Sequence, residues 1–300
     1  MNFQPGSPSA FAPPTSLSPD GWRLATFDKD GVHVANADGS GSRLVSADIT
    51  QSPPMSRIAW AGDNRHLFVW GGNGPEGTLF SAAGALFDVD SGTSQMLPYG
   101  GLPLAISPSG DRIAYLGPSN GLRVARPDGS DLVDVSTGME VALYDVPRVA
   151  WSPDGQRLAF PVAGAGNGFA IAAADGSRTI RIPAVSAASS ALTPSLVWSP
   201  DGRYIAASGD QFPIEHHRVL VFDTRNVGSP PVAFDAGLTP YESVSVVWWD
   251  NGRGFYFIGR GEYVGEGVAH QAVYSVSLDG KTDILLSGAV DVASIVGVTH

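Results

Sequence analysis

Short apolar runs alternate with polar, glycine-containing turns along almost the whole chain, and one apolar–turn–apolar unit returns six times. It reads LSPDGWRLATF from Leu17, AWAGDNRHLFVW from Ala59, AISPSGDRIAYL from Ala105, AWSPDGQRLAFP from Ala150, VWSPDGRYIAAS from Val197 and VWWDNGRGFYFI from Val247. Runs such as Leu196–Trp198 and Tyr204–Ala207 have the length and composition of β-strands. In Ser-Pro-Asp-Gly, proline pre-sets φ, Asp or Ser tolerates the next position, and glycine accepts the positive φ that ends the turn. A second turn follows in every unit: NADGSGS from Asn36, DVDSGTS from Asp88, RPDGSD from Arg126, AADGSR from Ala173, DTRNVGS from Asp223 and SLDGKT from Ser277. Each unit is therefore predicted to hold four antiparallel strands, A to D. The marker positions Gly21, Asn64, Gly110, Gly155, Gly202 and Gly252 are 43, 46, 45, 47 and 50 residues apart, the period expected of propeller blades.

The repeat resembles that of the TolB-like propellers, whose blades carry WSPDG followed by [KR]-x-[IL]-A-[FY], and the resemblance covers roughly residues 17–290. Two units depart from it, Ala61-Gly62-Asp63-Asn64 and Trp249-Asp250-Asn251-Gly252, while keeping turn chemistry. The only WD pair, Trp249-Asp250, lies in an A–B turn and not at the end of a third strand, which counts against a WD40 reading. The expected fold is an all-β, six-bladed β-propeller with four antiparallel strands per blade. The blades are placed at about 17–46, 57–98, 103–136, 147–183, 195–236 and 243–287, after a flexible Pro/Ser-rich segment 1–16. A propeller has to protect its last edge. The strand-like run Asp291–Thr299 belongs to no unit, and Pro13-Pro14 is poor material for an inner strand. The C-terminal strand, 291–300, is therefore expected to close the ring within blade 1.

Composition sharpens this picture in three ways. An apolar fraction of 43% supports a packed core, while 37 glycines and 23 prolines suit many short strands and few helices. The net charge is −11 with only Lys29 and Lys281 as lysines, so neither a nucleic-acid backbone nor an anionic membrane surface is an expected partner. Cysteine is absent, which removes thiol chemistry without identifying a compartment. The N-terminus has no signal-peptide pattern as it stands. The family resemblance and the tether-like start imply an extracytoplasmic location, periplasmic or secreted.

Strand alternation puts the A–B and C–D turns at one end of each sheet, and the B–C and D–A connections at the other. The second end carries the long irregular segments 71–84, 136–147, 183–195, 208–216 and 260–271, where binding usually resides. All six glutamates, Glu76, Glu140, Glu215, Glu242, Glu262 and Glu266, fall in such connections, as do His216, His217 and His270. Exclusion of Glu from strands and tight turns accounts for this distribution as well as function does. Adjacent blades bring Glu215, His216 and His217 towards Tyr241 and Glu242, with Glu262, Tyr263 and His270 in the next B–C segment. These eight residues form the candidate ligand-binding set. Imidazoles beside a carboxylate can hold a divalent metal or exchange protons with a substrate, but no cofactor is required by any motif.

Other motifs fall away. Gly117–Gly121 matches G-x-S-x-G yet joins two strands, where a nucleophile elbow needs a strand-to-helix turn. Asp88-Val89-Asp90 starts like a calcium loop but has Tyr99 where the bidentate Glu is required. Trp60, Trp151, Trp198 and Trp248 recur at one strand-A position and are read as core between blades. Trp22, Trp70 and Trp249 have no account at this level. The functional expectation is a monomeric scaffold binding a protein or peptide partner through the B–C/D–A end. The alternative is a lyase or hydrolase acting on a carbohydrate or small molecule with a His/Glu site at the channel mouth. A carbohydrate-binding propeller is third.

Overall fold

The computed structural model describes residues 15–28, 30–46, 57–72, 82–97, 102–142, 149–164, 168–183, 195–208, 218–235, 246–263, 269–280 and 282–287. They form six four-stranded antiparallel sheets, each ordered as its strands occur in the chain. Sheet 1 holds β1 (Thr15–Leu17), β2 (Arg23–Asp28), β3 (Gly31–Asn36) and β4 (Arg43–Ser46). Sheet 2 holds β5 (Arg57–Trp60), β6 (His66–Gly72), β7 (Ala82–Asp88) and β8 (Thr93–Met96). Sheet 3 holds β9 (Leu102–Ile106), β10 (Ile113–Leu116), β11 (Leu122–Ala125) and β12 (Val133–Asp134). Sheet 4 holds β13 (Ala150–Trp151), β14 (Arg157–Val162), β15 (Gly168–Ala173) and β16 (Thr179–Pro183). Sheet 5 holds β17 (Ser195–Trp198), β18 (Tyr204–Ser208), β19 (Arg218–Asp223) and β20 (Val232–Asp235). Sheet 6 holds β21 (Val246–Trp248), β22 (Gly254–Tyr263), β23 (Ala269–Ser277) and β24 (Thr282–Ser287). The four-strand unit read from the repeat is therefore present six times.

The chain divides into two compact units, Met1–Leu97 with sheets 1 and 2, and Pro98–His300 with sheets 3 to 6. In the first, Ala25, Phe27, Val32 and Val34 of sheet 1 pack against Ile58, Trp60, Leu67, Val69 and Phe87 of sheet 2. In the second, sheet 5 is buried on both faces. Leu196, Trp198, Ile205, Ala207, Leu220 and Phe222 face Phe169 and Ile171 of sheet 4, while Ala206, Val219 and Val221 face Trp248, Phe255 and Phe257 of sheet 6. Successive strand residues point to opposite sides, so a sheet covered twice is built from uninterrupted apolar runs. That is why β18 and β19 read as continuous hydrophobic stretches.

The tryptophan at the end of strand A joins neighbouring sheets through its polar edge. Trp60 Nε1 donates to the Ser16 carbonyl at 3.0 Å, Trp198 to that of Ala150 at 3.1 Å, and Trp248 to that of Val197 at 3.1 Å. Each acceptor lies one residue before the equivalent position of the preceding sheet. Trp151 sits at the same place, but its buried Nε1 has no partner among the described residues.

Strand β1 starts at Thr15 and already supplies the leading strand of sheet 1, so that sheet takes in the last two residues of the segment expected to be a tether. The run 291–300, expected to close the ring, lies outside the described residues. Among the described residues, no helix is long and apolar enough to cross a membrane.

Candidate functional site

The A–B turn is a hydrogen-bonded device. In sheet 5 the buried Ser199 donates its Oγ–H to Asp201 at 2.6 Å and accepts from the Tyr204 N–H at 2.8 Å. Asp201 Oδ1 then accepts from the Arg203 N–H at 3.0 Å. The same set recurs with Ser18, Asp20, Trp22 and Arg23, and with Ser152, Asp154, Gln156 and Arg157. In sheet 3 the carboxylate moves two positions on, and Asp111 accepts from both Ser107 and Ser109. Sheet 2 has Ala61 in place of the serine, and Asp63 Oδ1 takes both the Arg65 and the His66 N–H at 2.9 Å. Burial opposes ionisation of Asp63, but the N–H donors and the His66 ring at 2.5 Å outweigh it and hold the carboxyl below its usual value. Each of these aspartates therefore has a structural role in its own turn.

The eight candidate residues are expected at the opposite end. Glu215, His216, His217, Tyr241 and Glu242 lie outside the described residues. Glu262, Tyr263 and His270 belong to sheet 6, and here the expected loop 260–271 is corrected. The ladder of β22 and β23 continues past the apolar core to Arg260↔Gln271 and Tyr263↔Ala269. The long pairing outlasts the glycines that disfavour strand. Between those two pairs β22 has Gly261 and Glu262 where β23 has only His270, a β-bulge that breaks the register. The backbone thus sets Glu262 and His270 abreast near the end of a hairpin, with Tyr263 on the next rung. Residues 264–268 at its tip are outside the described residues.

Part of one D–A connection, residues 136–142, is described at this end. Its Val141 N–H donates to the Asn120 carbonyl at 2.9 Å, Ala142 N–H to Pro161 at 3.0 Å, and Ala163 N–H to Glu140 at 2.9 Å. The segment is a short strap fixed to the B–C ends of sheets 3 and 4, with Val141 buried and Glu140 exposed. Gly117–Gly121 connects β10 to β11 as read from the sequence, closing with the Gly117 N–H on the Gly121 carbonyl at 2.8 Å. Among the described residues no group of three or more His, Cys, Asp or Glu side chains is arranged to hold a metal.

Two residues without a sequence-level account acquire a place. Trp249 stands where other units have the turn serine, and its ring lies over Gly254, where a Cβ would come within 2.7 Å of the indole and 2.5 Å of the Val276 carbonyl oxygen. Trp22 is 75% exposed at the A–B turn of sheet 1. Aligning the units was the signal that distinguishes it, since the matching positions hold Arg65, Asp111, Gln156, Arg203 and Arg253.

No family model and no curated protein sequence matches the chain. Solved structures do. The putative TolB from Agrobacterium tumefaciens is similar over 75% of this chain and 81% of its own, at 19% identity and a TM-score of 0.51. A chain of a mitotic checkpoint complex is similar over 99% of this chain and 90% of its own, at 16% identity and a TM-score of 0.62. Oligogalacturonate lyase in complex with manganese is similar over 88% of this chain and 76% of its own, at 13% identity and a TM-score of 0.59. At these identities the likeness establishes the β-propeller fold.

Proposed function

We propose that this propeller is a binding scaffold that engages a protein or peptide partner through the B–C and D–A connections. The observation that carries the reading is the β22–β23 hairpin. It continues as a paired ribbon to Tyr263 and Ala269, beyond the apolar core of its sheet. A ribbon held by its own ladder presents Glu262, Tyr263 and His270 on ordered backbone, which lowers the conformational cost of binding. The pinned Glu140 strap adds a second ordered element at the same end of its sheets. Similarity to a chain of a mitotic checkpoint complex and to a putative TolB is compatible with a protein partner.

The enzyme reading keeps one observation in its favour, the bulge that brings Glu262 and His270 abreast. Glu and His are residue types suited to general acid–base work or to metal ligation.

The readings are separated by replacing Tyr263 with a photo-crosslinking phenylalanine derivative, with Ser130 in the C–D turn of sheet 3 as control. A discrete protein adduct at 263 and none at 130 is expected, and equal or absent labelling at both overturns the scaffold. Metal analysis of the purified protein beside the His217→Ala/His270→Ala double variant tests the other reading. A stoichiometric transition metal lost in the variant moves the conclusion to the enzyme.

A further inference from the structure

We infer that the turn end of sheet 1 is a docking surface for a basic protein segment, anchored on the Trp22 indole. This surface is at the opposite end of the sheet from the connections considered above and does not rest on that reading. Trp22 is exposed, yet its backbone is fixed from both sides. Its N–H donates to Asp20 Oδ1 at 3.1 Å, and its carbonyl accepts the Ala37 N–H from the C–D turn at 2.9 Å. The Asp20 N–H in turn donates to Asn64 Oδ1 at 2.9 Å, tying this turn to the A–B turn of sheet 2. The indole is thus carried by a braced platform, and large rigid aromatics of this kind dominate binding surfaces.

The charge around it selects the partner. Asp20 and Asp38 flank Trp22 in the two turns, and their hydrogen bonds come from neutral donors, Ser18 and Trp22 for one and Ser40 for the other. Those donors lower both carboxyl pKa values, so both are anionic at neutral pH. Among the described residues the nearby cations are engaged: Arg23 bonds Asp90 at 3.1 Å, Arg65 bonds Asp88 through Nε at 2.9 Å, and Arg43 bonds the Val89 carbonyl. An exposed electron-rich ring between two anionic turns attracts an arginine or lysine side chain, by cation–π attraction to the ring and by Coulomb attraction to its rim.

The test titrates the full chain with a short fluorescein-labelled Arg/Lys–Ser–Gly peptide at low salt, with a Glu–Ser–Gly peptide as control. Trp22→Ala, whose melting temperature should match that of the parent, is expected to weaken binding of the basic peptide about three- to tenfold. Asp175→Asn removes a carboxylate from the corresponding turn of sheet 4, where it holds the Ser177 N–H at 2.9 Å, and is expected to change affinity less than about twofold, the effect of losing one charge from a net charge of −11. Equal affinity for Trp22→Ala and the parent overturns the inference. Equal weakening by the two variants, which would mean diffuse attraction to an acidic protein, or equal binding of the acidic peptide, overturns it as well.

Discussion

Trp198 Nε1 donates to the Ala150 carbonyl oxygen at 3.1 Å, so a side chain of sheet 5 completes the hydrogen bonding of the leading strand of sheet 4. Trp151 has the same ring at the same place in its own sheet, with its Nε1 buried and without a partner among the described residues. The pair provides an internal control. Trp198→Phe removes a made bond and strands an acceptor, whereas Trp151→Phe removes a donor whose burial was already uncompensated. Urea denaturation should show Trp198→Phe to be the more destabilising by about 1 kcal/mol. The reverse order would mean that these bonds do not couple the sheets.

The turn device predicts a second asymmetry. Ser199→Ala deprives Tyr204 N–H and Asp201 of a buried partner and should cost about 1–3 kcal/mol. Sheet 2 carries alanine at that position natively because Asp63 accepts both N–H groups. Asp63→Ala should therefore cost more than Asp154→Ala, whose neighbour Ser152 still holds the Arg157 N–H at 2.9 Å. Comparable melting temperatures for the two aspartate variants would count against this division of labour.

The fold was legible because each unit spells its own turn. Pro-Asp-Gly states the backbone geometry, and where Gly is replaced by Asn64 the chain still adopts a positive φ of 58°. Apolar runs such as Leu196–Trp198 and Tyr204–Ala207 marked strands by their length and composition. The candidate site was less legible for a physical reason. The stretch Gly259–Gln271 is interrupted by glycines at 259, 261, 265 and 267, which local propensity reads as loop, yet pairing that begins at Phe255 and Phe257 carries the strand through. The register shift that sets Glu262 beside His270 depends on the count of residues between two distant pairs, and periodicity does not encode it. Trp22 carried a signal of another kind, a single aromatic at a position that is polar in the other five units.

Gly254 offers a test of packing in the most divergent turn. It precedes Phe255 where other units have a side chain, and Trp249 occupies the space a Cβ would need. Gly254→Ala should cost about 1–3 kcal/mol through overpacking. Gly228→Ala, with nothing within 4 Å of the added methyl, should be neutral or stabilising by about 0.4–1 kcal/mol through the unfolded chain. Chemical denaturation distinguishes the two, and equal effects would show that the Trp249 ring yields.

The acidic limb of the stability profile follows from Asp88. Its carboxyl is held far below the usual aspartate value, chiefly by Arg65 through bonds of 2.9 and 2.5 Å, which outweigh the opposing cost of burial, with the Ser91 and Asp90 N–H groups adding to the effect. A depressed folded pKa means that the unfolded chain takes up protons first as pH falls. The contribution is then complete above the unfolded value near 3.9 and disappears as pH drops through the folded value. Asp88→Asn should accordingly melt below the parent at pH 6, and the gap should narrow steadily below about pH 4. Because the Arg65 side chain is about half exposed, salt should shrink the gap at pH 6 as well. A gap that widens on acidification would mean that Asp88 is protonated more readily in the folded chain than in the unfolded one, the opposite of what its four donors dictate.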